Sequence, residues 1–184
     1  MELIKNHLKN KYQLSNYQIA QLAFLFKTLL SELSKMLIMG IIFHKQLTLY
    51  LFSLVVMLFL RCSTGGLHFY TYWGCLACSI TYIALAIWIF PSITFPSFIK
   101  LLLLLISILI CNYIGPIVSK YRPTPSKKLY TWGKNTTCKF IFIYSLVMFI
   151  IPENQYLIVG FWTIILHSLQ LVLAKIRKKG GHIK

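Results

Sequence analysis

The sequence is poor in charge and poorer still in acid. Only 12% of its 184 residues are charged, about half the usual share of a soluble domain. Glu2, Glu32 and Glu153 are the only acidic residues. With 58% hydrophobic residues and a mean hydropathy of +0.71, a soluble chain of this size has too little interior to hide its apolar surface. Lipid must therefore be part of its solvent. No long polar stretch separates two apolar blocks, which argues against a string of modules and for one integral membrane domain over 1–184. No internal repeat is visible. The cysteines are few and odd in number (Cys62, Cys75, Cys78, Cys111, Cys138), and most lie in or beside apolar runs, so a secreted disulfide framework does not fit. The first charges are not followed by a short apolar h-region, and no cleavable signal peptide is expected.

What the chain has in excess is positive charge, net +16. Residues 1–17 carry Lys5, Lys9 and Lys11, with Ile4, Leu8 and Tyr12 every four residues, the pattern of an amphipathic helix lying on a membrane surface. Six apolar segments follow, near Gln21–Phe43, Leu47–Leu60, Cys75–Phe95, Phe98–Ser119, Cys138–Ile151 and Tyr156–Ala174. The fold class expected is all-α: a polytopic membrane helical bundle of about six transmembrane or partly re-entrant segments. Two segments are short for a span, which usually needs about 20 residues. Glu32 and Lys35, at i,i+3, can pair on one face of the first.

Basic residues crowd the N-terminal stretch, a loop at 120–137 and a tail at 175–184, and are sparse in the alternate turns. Six spans put every basic segment on one side, the cytoplasmic side by the positive-inside rule, with both termini. The rival is five spans, with Met36 to Leu60 crossing once; it buries Lys45 in mid-span at high cost. Under either topology the segment 61–74 shares a side with the basic loop. Basic residues at span ends suit anionic lipid and do not form the single polar module of a nucleic-acid binder.

The segment 61–74 breaks the apolar pattern. It reads Arg61-Cys62-Ser63-Thr64-Gly65-Gly66-Leu67-His68 and runs to Gly74, after which Cys75 opens the next span. The two glycines argue against continuous helix and allow backbone shapes closed to other residues. A cysteine near a helix N-terminus with a histidine nearby suits a thiol nucleophile, because both neighbours favour the thiolate. His68 would take the thiol proton and later protonate a leaving amine. On a straight helix the pair would stand about 10.5 Å apart along the axis, too far for a proton transfer needing roughly 3 Å, so His68 must fold back from a loop. The bland reading is that both are packing or interface residues. A Cys75–Cys78 redox pair sets one sulfur a turn deep in an apolar helix, and a zinc site of His68, Cys75 and Cys78 has no good fourth ligand nearby. His44 and His167 read as interface or bundle-interior residues, and Cys111 and Cys138 as core. No metal or organic cofactor is expected.

Arg61-x-x-x-Gly65-Gly66-x-His68, six residues, then Cys75, on the cytoplasmic side of a small multispanning protein, resembles the accessory gene regulator B (AgrB) family. Total size, the basic N-terminus and the Lys120–Pro123 run (Lys-Tyr-Arg-Pro) fit as well. The resemblance implies a membrane cysteine endopeptidase of Gram-positive quorum sensing that cuts a short amphipathic propeptide near its acidic C-terminal tail, with His68 and Cys75 as the catalytic pair. The acyl-enzyme would be a thioester on Cys75, which a thiol or hydroxyl of the peptide captures to close a thiolactone or lactone ring. Arg61 has two readings: an anchor for a substrate carboxylate or oxyanion, or a span-end residue snorkelling to the interface. Lys120 and Arg122 would hold the acidic tail or serve only as topology signals. Gly65 and Gly66 would shape the backbone. No carboxylate lies near His68 in sequence, so a dyad is expected, with Glu32, Ser63, Thr64 or a backbone carbonyl to orient the ring. The partners that follow are the propeptide, anionic lipids and a second copy of the chain as a homodimer, and no nucleic acid. Two other readings stay open: a small transporter, for which Glu32, Lys35 and His167 are the buried ionisable candidates, and a non-catalytic membrane scaffold.

Overall fold

The computed structural model describes residues 16–67, 71–117 and 126–180. The expected surface helix over the first residues, His68, Lys120, Arg122 and the last four residues lie outside them. The chain falls into two compact units, divided between His44 and Lys45.

In the first unit, α1 (Asn16–Ile42) is one long helix. Lys35 Nζ donates to Glu32 Oε1 at 2.6 Å, the i,i+3 pair the spacing allows. The helix stops at a 3-10 turn, His44–Gln46, where His44 Nδ1 donates to the Ile41 carbonyl at 3.0 Å. Met36 to Leu60 is thus two helices joined by a short turn, rather than one continuous helix.

The second unit is an up-and-down bundle of α2 (Leu47–Thr64), α3 (Tyr72–Ala84), α4 (Ser97–Ile114), α5 (Lys127–Ile150) and α6 (Gln155–Gly180). α3 continues through a π-turn at Leu85–Ile89 and a 3-10 turn at Phe90–Ser92 that carries Pro91. Among the described residues, four stretches are long and apolar enough to cross a membrane: His44–Thr64, Tyr72–Ser92, Ser97–Ile114 and Gln155–Arg177. α1 and α5 are long helices outside that set, and α5 carries Lys127, Lys128, Lys134 and Lys139.

α4 shows what solvent surrounds the bundle. Its buried positions are Lys100, Leu104, Ser107 and Cys111, a stripe at spacings of four, three and four. Leu102, Leu105, Ile106 and Leu109 face outward. A helix that hides a lysine and a serine and displays leucines is inside out for water and right for lipid. α6 is the opposite: 72% of its apolar window is buried inside the protein, against 22% for α4. It forms the axis of the bundle, and the other helices meet its polar side chains. Thr163 bonds Ser53 at 2.9 Å and receives the Tyr82 hydroxyl at its carbonyl; Ser168 bonds Ser107 at 3.2 Å. Such interhelical bonds hold helices together where apolar contact alone gives no preference over lipid. The chain is an all-α polytopic membrane protein.

Candidate active site

The site lies where α2 stops. Its last turn ends at Gly65, whose N–H donates to the Arg61 carbonyl at 2.9 Å. Gly65 has φ +75°, a left-handed conformation that side chains resist. A Cβ there would also overlap the Ile117 carbonyl oxygen. The room is needed because the strand-like segment after α4 lies alongside: Gly65 and Ile117 form a parallel bridge, and Ile117 N–H donates to the Thr64 carbonyl at 2.9 Å. α5 closes the same corner, with Gly133 packed so tightly on the Ser63 carbonyl that a Cβ would not fit.

The region following Arg61 and the basic start of α5 thus meet at one end of the bundle, as the charge pattern requires. Much of the expected basic loop is helix, since α5 begins at Lys127 rather than near Cys138. Ser126 caps it, its Oγ accepting from Leu129 N–H at 3.3 Å. Lys175 of α6 reaches the same end and sits 4.3 Å from the Tyr113 ring centroid.

α3 starts at this end too. Thr71 is its cap, with Oγ1 accepting from Gly74 N–H at 3.2 Å, and Cys75 N–H donates to the Thr71 carbonyl at 3.1 Å. Cys75 is therefore the fourth residue of the helix and is buried. The first turn of a helix has N–H groups without intrahelical acceptors and favours an anion there. All five cysteines are thiols rather than disulfides. Cys62 is exposed, Cys111 is wholly buried, and the half-buried Cys138 Sγ lies 3.9 Å from the Ile108 carbonyl.

Arg61 is turned into the bundle. Its Nη2 donates to the Leu67 carbonyl at 3.5 Å, and its Nε is shut off from solvent. Two residues of α6 join it. His167 is wholly buried, with Nε2 2.8 Å from Thr64 Oγ1. Because that hydroxyl donates to the Leu60 carbonyl at 2.9 Å, the ring donates to it, leaving Nδ1 as an acceptor without a partner among the described residues. Gln170, 7% exposed, donates Nε2 to Cys78 Sγ at 3.8 Å. Sequence reasoning missed Gln170, a polar residue in an apolar run whose neighbours are about a hundred positions away. Glu32 is engaged by Lys35 within α1.

The chain matches the model of a protein family described as accessory gene regulator B over residues 1–171. It is also 31% identical to an AgrB-like protein of Clostridium beijerinckii over 148 residues, 78% of this chain and 69% of that protein. No solved structure matches it.

Proposed function

Since the chain belongs to the accessory gene regulator B family, we propose that it is a membrane cysteine endopeptidase that trims a signalling propeptide and helps to close it into a ring. The observation that carries this reading is the position of Cys75: a buried thiol in the first turn of α3, at the end of the bundle where Arg61, Lys127, Lys128, Lys134 and Lys175 gather. That end is cytoplasmic by the positive-inside rule.

His68, seven residues before Cys75, takes the thiol proton. The thiolate attacks the scissile carbonyl, the C–N bond breaks, and the departing amine carries away the proton held by His68. The remaining peptide is then a thioester on Cys75. A cysteine thiol of the peptide attacks this carbonyl, forms a new thioester and releases Cys75; a serine hydroxyl would give a lactone. Thioester exchange is nearly balanced in bond energy, so proximity and removal of the tail drive it. A carbonyl held at the membrane surface, with little water around it, is spared hydrolysis. The basic first turns of α5, with Lys120 and Arg122 just before them in sequence, supply the positive field for an acidic tail.

Co-expression with the small reading frame beside this gene, followed by intact-mass analysis of the peptide, tests the reading. A peptide trimmed at its C-terminus and lighter by one further water than hydrolysis alone would leave it, absent with Cys75→Ala, is the expected result. An uncut peptide beside well-expressed protein would turn the assignment toward a transporter or scaffold.

A further inference from the structure

Two buried polar atoms face the same small space beside Gly66, and neither has a partner among the described residues: Arg61 Nε, a donor, and Gln170 Oε1, an acceptor. A Cβ built on Gly66 would stand 3.4 Å from the first and 3.7 Å from the second. The absent side chain therefore leaves a methyl-sized space between a donor and an acceptor, at a glycine that is itself buried, so a ligand meets these atoms only when residues 61–67 part from α6. In the structure Gln170 Nε2 donates to Cys78 Sγ, which leaves Oε1 on the Gly66 side. In a lipid-embedded bundle such atoms cannot turn to bulk water, and polar groups there are retained where something else meets them.

The chemistry wanted is an acceptor for the guanidinium and a donor for the amide oxygen, close together. One residue of an extended peptide presents this pair, because its C=O and N–H point to the same side. The neighbouring backbone already behaves as a strand edge at the Gly65–Ile117 bridge, and strand addition is a recurrent way of holding a peptide. The space borders the helix of the nucleophile: Cys78, held by Gln170, is one turn beyond Cys75, about 4.5 Å along the axis.

We infer that Gln170 and Arg61 form a receptor for one residue of the propeptide backbone. Arg61 Nε–H donates to its carbonyl, Gln170 Oε1 accepts its N–H, and Gly66 provides the space for close approach. This rests on the protease reading and adds to it Gln170, a substrate-positioning residue on α6. The receptor reads backbone rather than side chains, so it fixes the register of the peptide relative to Cys75 without demanding a sequence.

The test uses the full-length protein in lipid nanodiscs and a synthetic propeptide with single ester-for-amide replacements through the residues flanking its scissile bond. Each ester removes one N–H. At one position the ester should raise KM about tenfold for the wild type with kcat little changed. Gln170→Met should raise KM by a similar factor for the all-amide peptide and abolish the penalty of that one ester. Gly66→Ala, which meets only ordinary contacts, should fold and also raise KM. The inference is overturned if no ester position distinguishes wild type from Gln170→Met, or if Gly66→Ala binds the peptide as well as wild type. Should Gln170→Met fail to fold, the ester scan of the wild type and the Gly66→Ala affinity decide. Failure of the protease reading looks different: the wild type leaves the all-amide peptide uncut, or Cys75→Ala still cuts it.

Discussion

The two ends of the bundle treat their buried polar groups in opposite ways. Where α4 begins and α5 stops, Lys100 lies in a cavity of about 210 Å³ with Leu101, Leu104, Phe149 and Leu157 on its walls, and Glu153 pairs with its ammonium. Charge enters the apolar region there with its counter-charge beside it. At the other end Arg61 Nε, Gln170 Oε1 and His167 Nδ1 are buried and unmet by any described residue, although the backbone around them is tied down by the Gly65–Ile117 bridge. A closed pair is what a structural clasp requires. An array of unmet groups on a fixed frame is what a site requires before its substrate arrives. Under the proposed reading the Cys75 end does the chemistry and the Lys100 end supports it.

Substitutions that should affect one end and spare the other sharpen the contrast. The largest effect belongs to Gly65→Ala. Its positive φ costs an alanine about 1–3 kcal/mol, and the overlap with the Ile117 carbonyl adds to that. Cleavage should fall by more than about tenfold and thermal unfolding in detergent should come several degrees earlier, whereas Gly66→Ala should leave the unfolding temperature in place. Equal unfolding temperatures for the two variants would undo the assignment of Gly65 to the frame.

A smaller effect is expected of Lys100→Met. Glu153 is 47% exposed in its side chain and can be solvated once alone, so the loss should be about 1 kcal/mol or less. Cleavage should stay within about twofold of wild type, which is under half a kcal/mol in barrier. A tenfold loss would show that the ends are not separate. The smallest effect is that of Ser53→Ala, which removes one interhelical bond to Thr163 and should cost about 0.6 kcal/mol in an unfolding titration, with the peptide product unaltered.

Most of the helices were legible as apolar runs, because lipid enforces that signal over some twenty residues. The start of α5 was not. Its first four turns carry Lys127, Lys128, Lys134 and Lys139, and charge that reads as a loop between spans is equally at home on a helix emerging from the membrane. The Ser126 cap was the local sign of it. α2 likewise runs on to Thr64, since the Arg61–Thr64 turn buries Thr64 against His167 rather than turning away. The di-glycine was readable as a helix stop, and Gly65 performs it. What Gly66 is for was not readable, because its role depends on Gln170 and on the course of Arg61, which no local pattern encodes. The pairing of Lys100 with Glu153, 53 positions on, is likewise a contact that no local pattern encodes.

The central claim is that Cys75 carries the peptide as a thioester. The direct measurement is intact-mass analysis of the purified protein after rapid acid quenching during turnover of the propeptide. The account predicts a population heavier by the mass of the tail-less peptide less one water, mapped to Cys75 by digestion, removed by neutral hydroxylamine and absent with Cys75→Ser. Turnover with no such adduct at any quench time, or an adduct on another cysteine such as Cys62 or Cys78, would contradict it.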